Sequence, residues 1–330
     1  MKIFTVPAGN VITALILFSL LCFGCGSSTI EDGDTPIVSA FTVYTDSDGL
    51  ADNYITDIMI DYSRKGVWCS TWNGLSFYSD IDSTWTTFAV EYDLPSLEVT
   101  SLAIDYMTGT VWAGTASGPA FYSENLWTSF ADMDSLVHRY ITTVTSVSDG
   151  SLWFGTKGGV SRRDNFFDWK SYITATGLAG DYITSIAVNA IGNVWIGTTN
   201  GISVFDEKKW TAYGSSVLPD LYVRVIYKAY DGNMWCGTAT GIAVFDGTSW
   251  KRYGTFDGLP DQSVNDFTED RSKIMWVATD GGAAEFDGSK WIKLTLPDQV
   301  KNESVLCLAA DIISGVLWIG TTNGVVRHTR

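Results

Sequence analysis

Trp195-Ile196-Gly197-Thr198 decides the fold, because the chain writes versions of it seven times. The tryptophan recurs at Trp68, Trp112, Trp153, Trp195, Trp235, Trp276 and Trp318, at steps of 40 to 44 residues. Small residues follow at a fixed offset: Gly114-Thr115, Gly155-Thr156, Gly197-Thr198, Gly237-Thr238 and Gly320-Thr321, relaxed to Ser70-Thr71 and Ala278-Thr279. A period near 40 that fills a chain marks a repeat architecture, since one unit cannot bury its own apolar faces. Around the fourth copy, "GLAGDYITSIAVN" (177–189) reads as a turn and a strand with apolar Ile183, Ile186 and Val188. "AIGNVWIGTT" (190–199), "NGISVFD" (200–206) and "EKKWTAYG" (207–214) supply three further short strands separated by Gly, Asn and Asp, the residues of hairpin turns. Four antiparallel strands per unit make one blade of a propeller, so the sequence predicts an all-β, seven-bladed β-propeller.

Strand four carries its own tryptophan at Trp85, Trp127, Trp169, Trp210, Trp250 and Trp291, six copies for seven units. The chain stops within the third strand of the last unit. The missing strand is found at the other end, where "FTVYTDSDGLAD" (41–52) aligns with "WKRYGTFDGLPD" (250–261) and Phe41 takes the tryptophan place. The N-terminal strand around Phe41 to Thr45 is therefore expected to complete the last blade, which hides strand edges at the seam. Thirteen of the fourteen tryptophans fall at repeat positions and are read as packing; Trp72 is the exception. The Gly two residues after each strand-two Trp is expected to admit a neighbouring sheet.

Gly-Leu-Pro-Asp, then Val, Trp-Ile-Gly-Thr-x-x-Gly, Phe-Asp and Trp-x-x-Tyr together resemble the two-component regulator propeller repeat over about residues 40–330. In hybrid sensor kinases of that family, two propellers form an extracytoplasmic sensor of glycan breakdown products. The present chain departs from that layout, with one propeller and no kinase. The resemblance thus implies recognition outside the cytoplasm, without carrying over transmembrane signalling.

Residues 1–24 read as an export signal: Lys2 is the lone charge, and Val11 to Phe23 is an apolar run. Thirteen residues fall short of the about 20 that span a bilayer. Cys25 after Gly24 resembles a lipoprotein processing site, with simple secretion as the competing reading. Residues 25–39 are then a tether and 40–330 the propeller. The predicted location is the bacterial cell envelope, lipid-anchored and either periplasmic or surface-facing. Removing the signal leaves 37 acidic against 20 basic residues, which argues against nucleic acid or an anionic membrane surface as partner. The membrane contact expected is the lipid anchor alone, and the chain is expected to be monomeric. Cys69 and Cys236 occupy an apolar slot after the strand-two Trp. A Cys69–Cys307 disulfide is the minor alternative, and no residues have metal-ligand spacing.

Binding positions should break the repeat, since packing alone would keep the units alike. Just before strand one the units carry Tyr54, Glu98, Tyr140, Tyr182, Tyr222, Ser263 and Ser304. Two residues later come Thr56, Thr100, Thr142, Thr184, Arg224, Asn265 and Leu306, with Arg224 the one charge. Arg224 is read either as a partner of Asp220 or as a ligand contact. Trp72 lies in the loop between strands two and three, where Lys157 and Asp280 are charges among neutral equivalents. The expected ligand-binding set is Tyr54, Trp72, Glu98, Tyr140, Tyr182, Tyr222 and Arg224, with Cys25 for lipid attachment. Tyrosines capping the core edge are the plainer alternative. The expected function is a binding module for an oligosaccharide or an envelope protein, needing no cofactor or metal. A polysaccharide or lactone lyase using His138 as base and Tyr140 as acid, and a scaffold in an envelope complex, are the alternatives.

Overall fold

The fold is a seven-bladed propeller in which the first strand of the chain completes the last blade. The computed structural model describes residues 40–88, 94–105, 107–130, 133–166 and 168–329. The expected export signal over 1–24, lipid attachment at Cys25 and tether over 25–39 fall outside them. Among the described residues there are seven four-stranded antiparallel sheets. Blade one is typical: Ile55–Asp61, Gly66–Thr71, Gly74–Ser79 and Thr84–Phe88 pair in sequence order. The innermost strands touch in a closed ring, including Ile55–Asp61 against Val305–Ala310. In the seventh blade, Ala40–Tyr44 pairs with Gly324–Thr329, as the sequence predicts. Phe41 stacks on His328 there, with ring centroids 4.5 Å apart.

The recurring Gly-Thr-x-x-Gly has a local cause. Each buried strand-two Thr donates to the carbonyl of the Gly three residues on, as Thr198 Oγ1 does to Gly201 O at 2.9 Å. The same oxygen accepts the amide of Asn200 at 3.0 Å, so one hydroxyl fixes the hairpin from both sides. That Gly lies at positive φ, +114° at Gly201, where a side chain is strained. The other Gly of the motif faces the next blade. A Cβ at Gly237 would stand 2.5 Å from a methyl of Val264, the first residue of the following innermost strand.

In all seven blades, strand one slips register against strand two after its first residue. The residue skipped is Thr56, Thr100, Thr142, Thr184, Arg224, Asn265 or Leu306. A bulge leaves one residue outside the ladder and re-aims its side chain, here toward the channel. Several of these side chains staple one blade to the next: Thr56 Oγ1 donates to Val99 O (2.6 Å), Thr100 Oγ1 to Ile141 O (2.9 Å) and Asn265 Nδ2 to Val305 O (2.7 Å). One residue deeper, Asp57 and Asp266 accept the backbone N–H of Leu102 and Leu308, each at 2.8 Å.

The core is divided among blade interfaces, where Trp68, Trp153, Trp195, Trp276 and Trp318 are almost wholly buried. Cys69, Cys236 and Cys307 are buried free thiols, so the Cys69–Cys307 bridge is not formed. No helix among the described residues is long and apolar enough to cross a membrane.

Candidate functional site

The channel mouth is built by a turn that repeats with the blades. The residue two before the mouth position accepts the mouth residue's amide: Asp52 for Tyr54 (2.7 Å), Ser96 for Glu98 (3.2 Å), His138 for Tyr140 (3.0 Å) and Asp220 for Tyr222 (2.7 Å). Such turns pin the backbone just ahead of strand one. Ile55, Val99, Ile141, Ile183 and Val223, which follow, are fully buried. Tyr54, Glu98, Tyr140 and Tyr222 are thereby anchored on both sides.

A cavity of about 320 Å³ opens there. Tyr54, Trp72, Tyr140, Tyr182, Tyr222 and Arg224 all line it, so positions far apart in sequence converge. Glu98 joins them by accepting a hydrogen bond from the Tyr140 hydroxyl. A smaller cavity of about 160 Å³ continues down the channel past the bulge residues to Asp57, Ser101, Asp266 and Cys307.

Three clusters make up the rim. In blade one, Trp72 stacks on Tyr54 with centroids 4.2 Å apart and 20° between planes. Trp72 is 54% exposed, so it covers Tyr54 and still presents a face to solvent. In blades two and three, Lys157 Nζ sits 3.3 Å above the centre of the Tyr140 ring, on the tyrosine that binds Glu98. In blades five and six, Arg224 Nη1 donates to Ser263 Oγ (2.6 Å) and to Asn265 Oδ1, and lies 3.5 Å from Asp280. Asn265 Nδ2 donates to Asp280 at 2.8 Å. Of the two readings of Arg224, the local pairing with Asp220 is not formed: Arg224 pairs with the next blade, and Asp220 accepts an amide in its own turn. Tyr182 and Tyr222, 39% and 40% exposed, stand between these clusters.

In the sequence, Lys157 and Asp280 stand out only as single charges among neutral equivalents. Their partners are the other departures, Tyr140 and Arg224, which was the signal available. Ser263 and Asn265, the blade-six residues of the same two registers, hold the guanidinium.

Burial raises the Tyr140 hydroxyl pKa, and its bond to the Glu98 carboxylate adds to the rise. Burial likewise raises Tyr54, with the negative charge of Asp280 adding to it, and burial raises Tyr182. These hydroxyls thus remain protonated donors at neutral pH. For Asp280, burial works upward, but hydrogen bonds from Asn265 and Ser263 and the charge of Arg224 hold its carboxyl below the usual range.

His138 is exposed, and its Nδ1 accepts the Tyr140 amide, the task that Asp52 and Asp220 perform elsewhere. That leaves the proton on Nε2 in the neutral ring. Among the described residues no three His, Cys, Asp or Glu side chains are grouped to hold a metal ion.

Residues 177–200 and 258–281, two of the repeats, match the two-component regulator propeller family. No curated protein matches the chain in sequence. Among solved structures, the chain is similar to the extracellular domain of a putative hybrid two-component system from B. thetaiotaomicron, at 19% identity and a TM-score of 0.76. That match covers 87% of this chain but 40% of the other, so the chain spans less than half of that domain. Virginiamycin B lyase from Staphylococcus aureus is similar at 16% identity and a TM-score of 0.69, over 88% of this chain and 99% of the lyase. PorZ, a surface component of the type-IX secretion system of Porphyromonas gingivalis, gives 16% and 0.69, over 85% and 47%. At these identities the likeness is one of fold.

Proposed function

We propose that this chain, built from two-component regulator propeller repeats, is an extracytoplasmic binding module that takes an oligosaccharide at its channel mouth. The observation that carries the reading is convergence. The residues that break the repeat, drawn from five blades, meet around one cavity and present a stacked, half-exposed aromatic pair beside protonated tyrosine hydroxyls. An aromatic face covers the C–H face of a sugar ring while hydroxyls and amides reach its edge. Export, attachment through Cys25 and an envelope location belong to the same proposal and rest on the apolar run 11–23 and the Gly24-Cys25 pair. Binding is favoured over lyase chemistry because the histidine that would serve as base is engaged through Nδ1 in a turn that recurs where no histidine is present.

The test is thermal unfolding of the full chain against a library of oligosaccharides. A ligand at about 100 times its dissociation constant should stabilise the protein by about 2.7 kcal/mol. A sugar whose stabilisation vanishes in Trp72→Ala or Tyr182→Ala supports the reading. A flat response across the library overturns it and leaves a protein partner, to be sought by crosslinking in the native envelope.

A further inference from the structure

The charges of the mouth point to what the ligand lacks. Glu98 is engaged by the Tyr140 hydroxyl, and Lys157 rests on the other side of the same ring system. Arg224 is clamped by Ser263, Asn265 and Asp280, and Asp280 is held in turn by Asn265. Asp52 and Asp220 each accept a backbone amide in the turns below the rim. Two negative and two positive side chains thus stand at the rim as two balanced sets, Arg224 alone of them lining the cavity, and each already has a partner inside the protein.

We infer that the mouth selects an uncharged ligand, a neutral oligosaccharide rather than a uronate or an amino sugar; this rests on the oligosaccharide reading above. A carboxylate entering the cavity gives up its hydration, and that loss must be met by a counter-charge. Arg224 could provide one only by sharing its charge with Asp280, which lies 3.5 Å away. An ammonium meets the same difficulty, since Glu98 is already shared with the Tyr140 hydroxyl and Asp280 with Arg224 and Asn265. A neutral sugar meets neither. Its C–H face rests on Trp72, and its hydroxyls accept from Tyr182 and Tyr222 and donate to the free lone pairs of the rim oxygens. The same balance makes recognition insensitive to salt, since no net charge is neutralised on binding.

The experiment is titration calorimetry of the full chain with neutral oligosaccharides and their charged counterparts of equal length: galacto- and xylo-oligomers, oligogalacturonate, and N-acetylglucosamine oligomers beside their deacetylated forms. We expect a neutral binder whose charged counterpart is at least about tenfold weaker, equivalent to about 1.4 kcal/mol. Its affinity should change by less than about twofold between about 50 and about 500 mM salt. In Asp280→Asn, which frees Arg224, the gap between neutral and uronate forms should collapse. A charged sugar that binds more tightly than its neutral counterpart, and loses affinity in Trp72→Ala, overturns the inference while the mouth stands as a sugar site. Binding of none of these sugars overturns the site reading and this inference together.

Discussion

Trp72 lies flat on Tyr54, ring on ring at 4.2 Å, although one comes from a loop after strand two and the other from the loop before strand one. The stack turns two ordinary loop residues into one rigid platform at the edge of the cavity. Aromatic pairs of this kind contribute about 0.5–1.5 kcal/mol beyond area burial. Because Trp72 is more than half exposed, Trp72→Ala should lower stability by no more than about 1 kcal/mol while removing ligand-induced stabilisation. Thermal melts with and without ligand separate the two effects.

Gly237 sits where the next blade's Val264 comes closest, and Gly254 has open space around it and an ordinary extended backbone. Gly237→Ala should destabilise by about 1–3 kcal/mol, as expected when a packed interface must shift to admit a methyl group. Gly254→Ala should be near neutral. Urea denaturation of the two variants beside the parent checks this, with the contrast between them as the readout.

Asp57 and Asp266 line the channel, and burial raises their carboxyl pKa values to about 7 and about 8, against the lowering effect of two backbone amides each. In the unfolded chain a carboxyl titrates near about 4. Between those values the folded protein holds protons that the unfolded chain has released, so stability should fall as pH rises from about 5 to about 8. Melting temperatures across that range test the sign. Asp57→Asn and Asp266→Asn should flatten the slope and also lower the starting stability, because an amide can accept only one of the two backbone bonds.

The seam of the propeller depends on Phe41, which packs on His328 and on the interface containing Trp276 and Leu317. Phe41→Ala should cost about 1–3 kcal/mol, less than a fully buried phenylalanine because the ring is only partly covered. Removing Ala40–Tyr44 altogether would bare the Gly324–Thr329 edge and should produce concentration-dependent aggregation in light scattering.

The architecture could be read in advance because its signals are local and repeated. Trp-x-Gly-Thr marks a buried ring, a close approach and a hydrogen-bonded turn within four residues, and Phe41 betrays the seam by occupying a tryptophan's place. The site was legible as positions and obscure as chemistry. Tyr54, Tyr140, Tyr182, Tyr222 and Trp72 stood out from their registers, and the fold gathers them. That Arg224 reaches Asp280 instead of Asp220 was hidden, since the bulge alters which neighbour a side chain faces and no single repeat reveals it. His138 is the opposite case. It looked like a chemical group because of its type, while its position two before Tyr140 is the one where aspartates elsewhere only shape a turn.

The closing strand also has a direction. Tyr44 is level with Val325 near the mouth, whereas Ala40 is level with Thr329 at the opposite end, so the closing strand begins at the end of its sheet away from the cavity. A pull applied at Ala40 and resisted at the mouth end runs parallel to the strands of the seventh blade. The ladder between Ala40–Tyr44 and Gly324–Thr329 is then loaded in shear, all its hydrogen bonds sharing the force at once, instead of being unzipped one rung at a time. The seam that completes the ring is thus oriented to bear traction applied along its own strands.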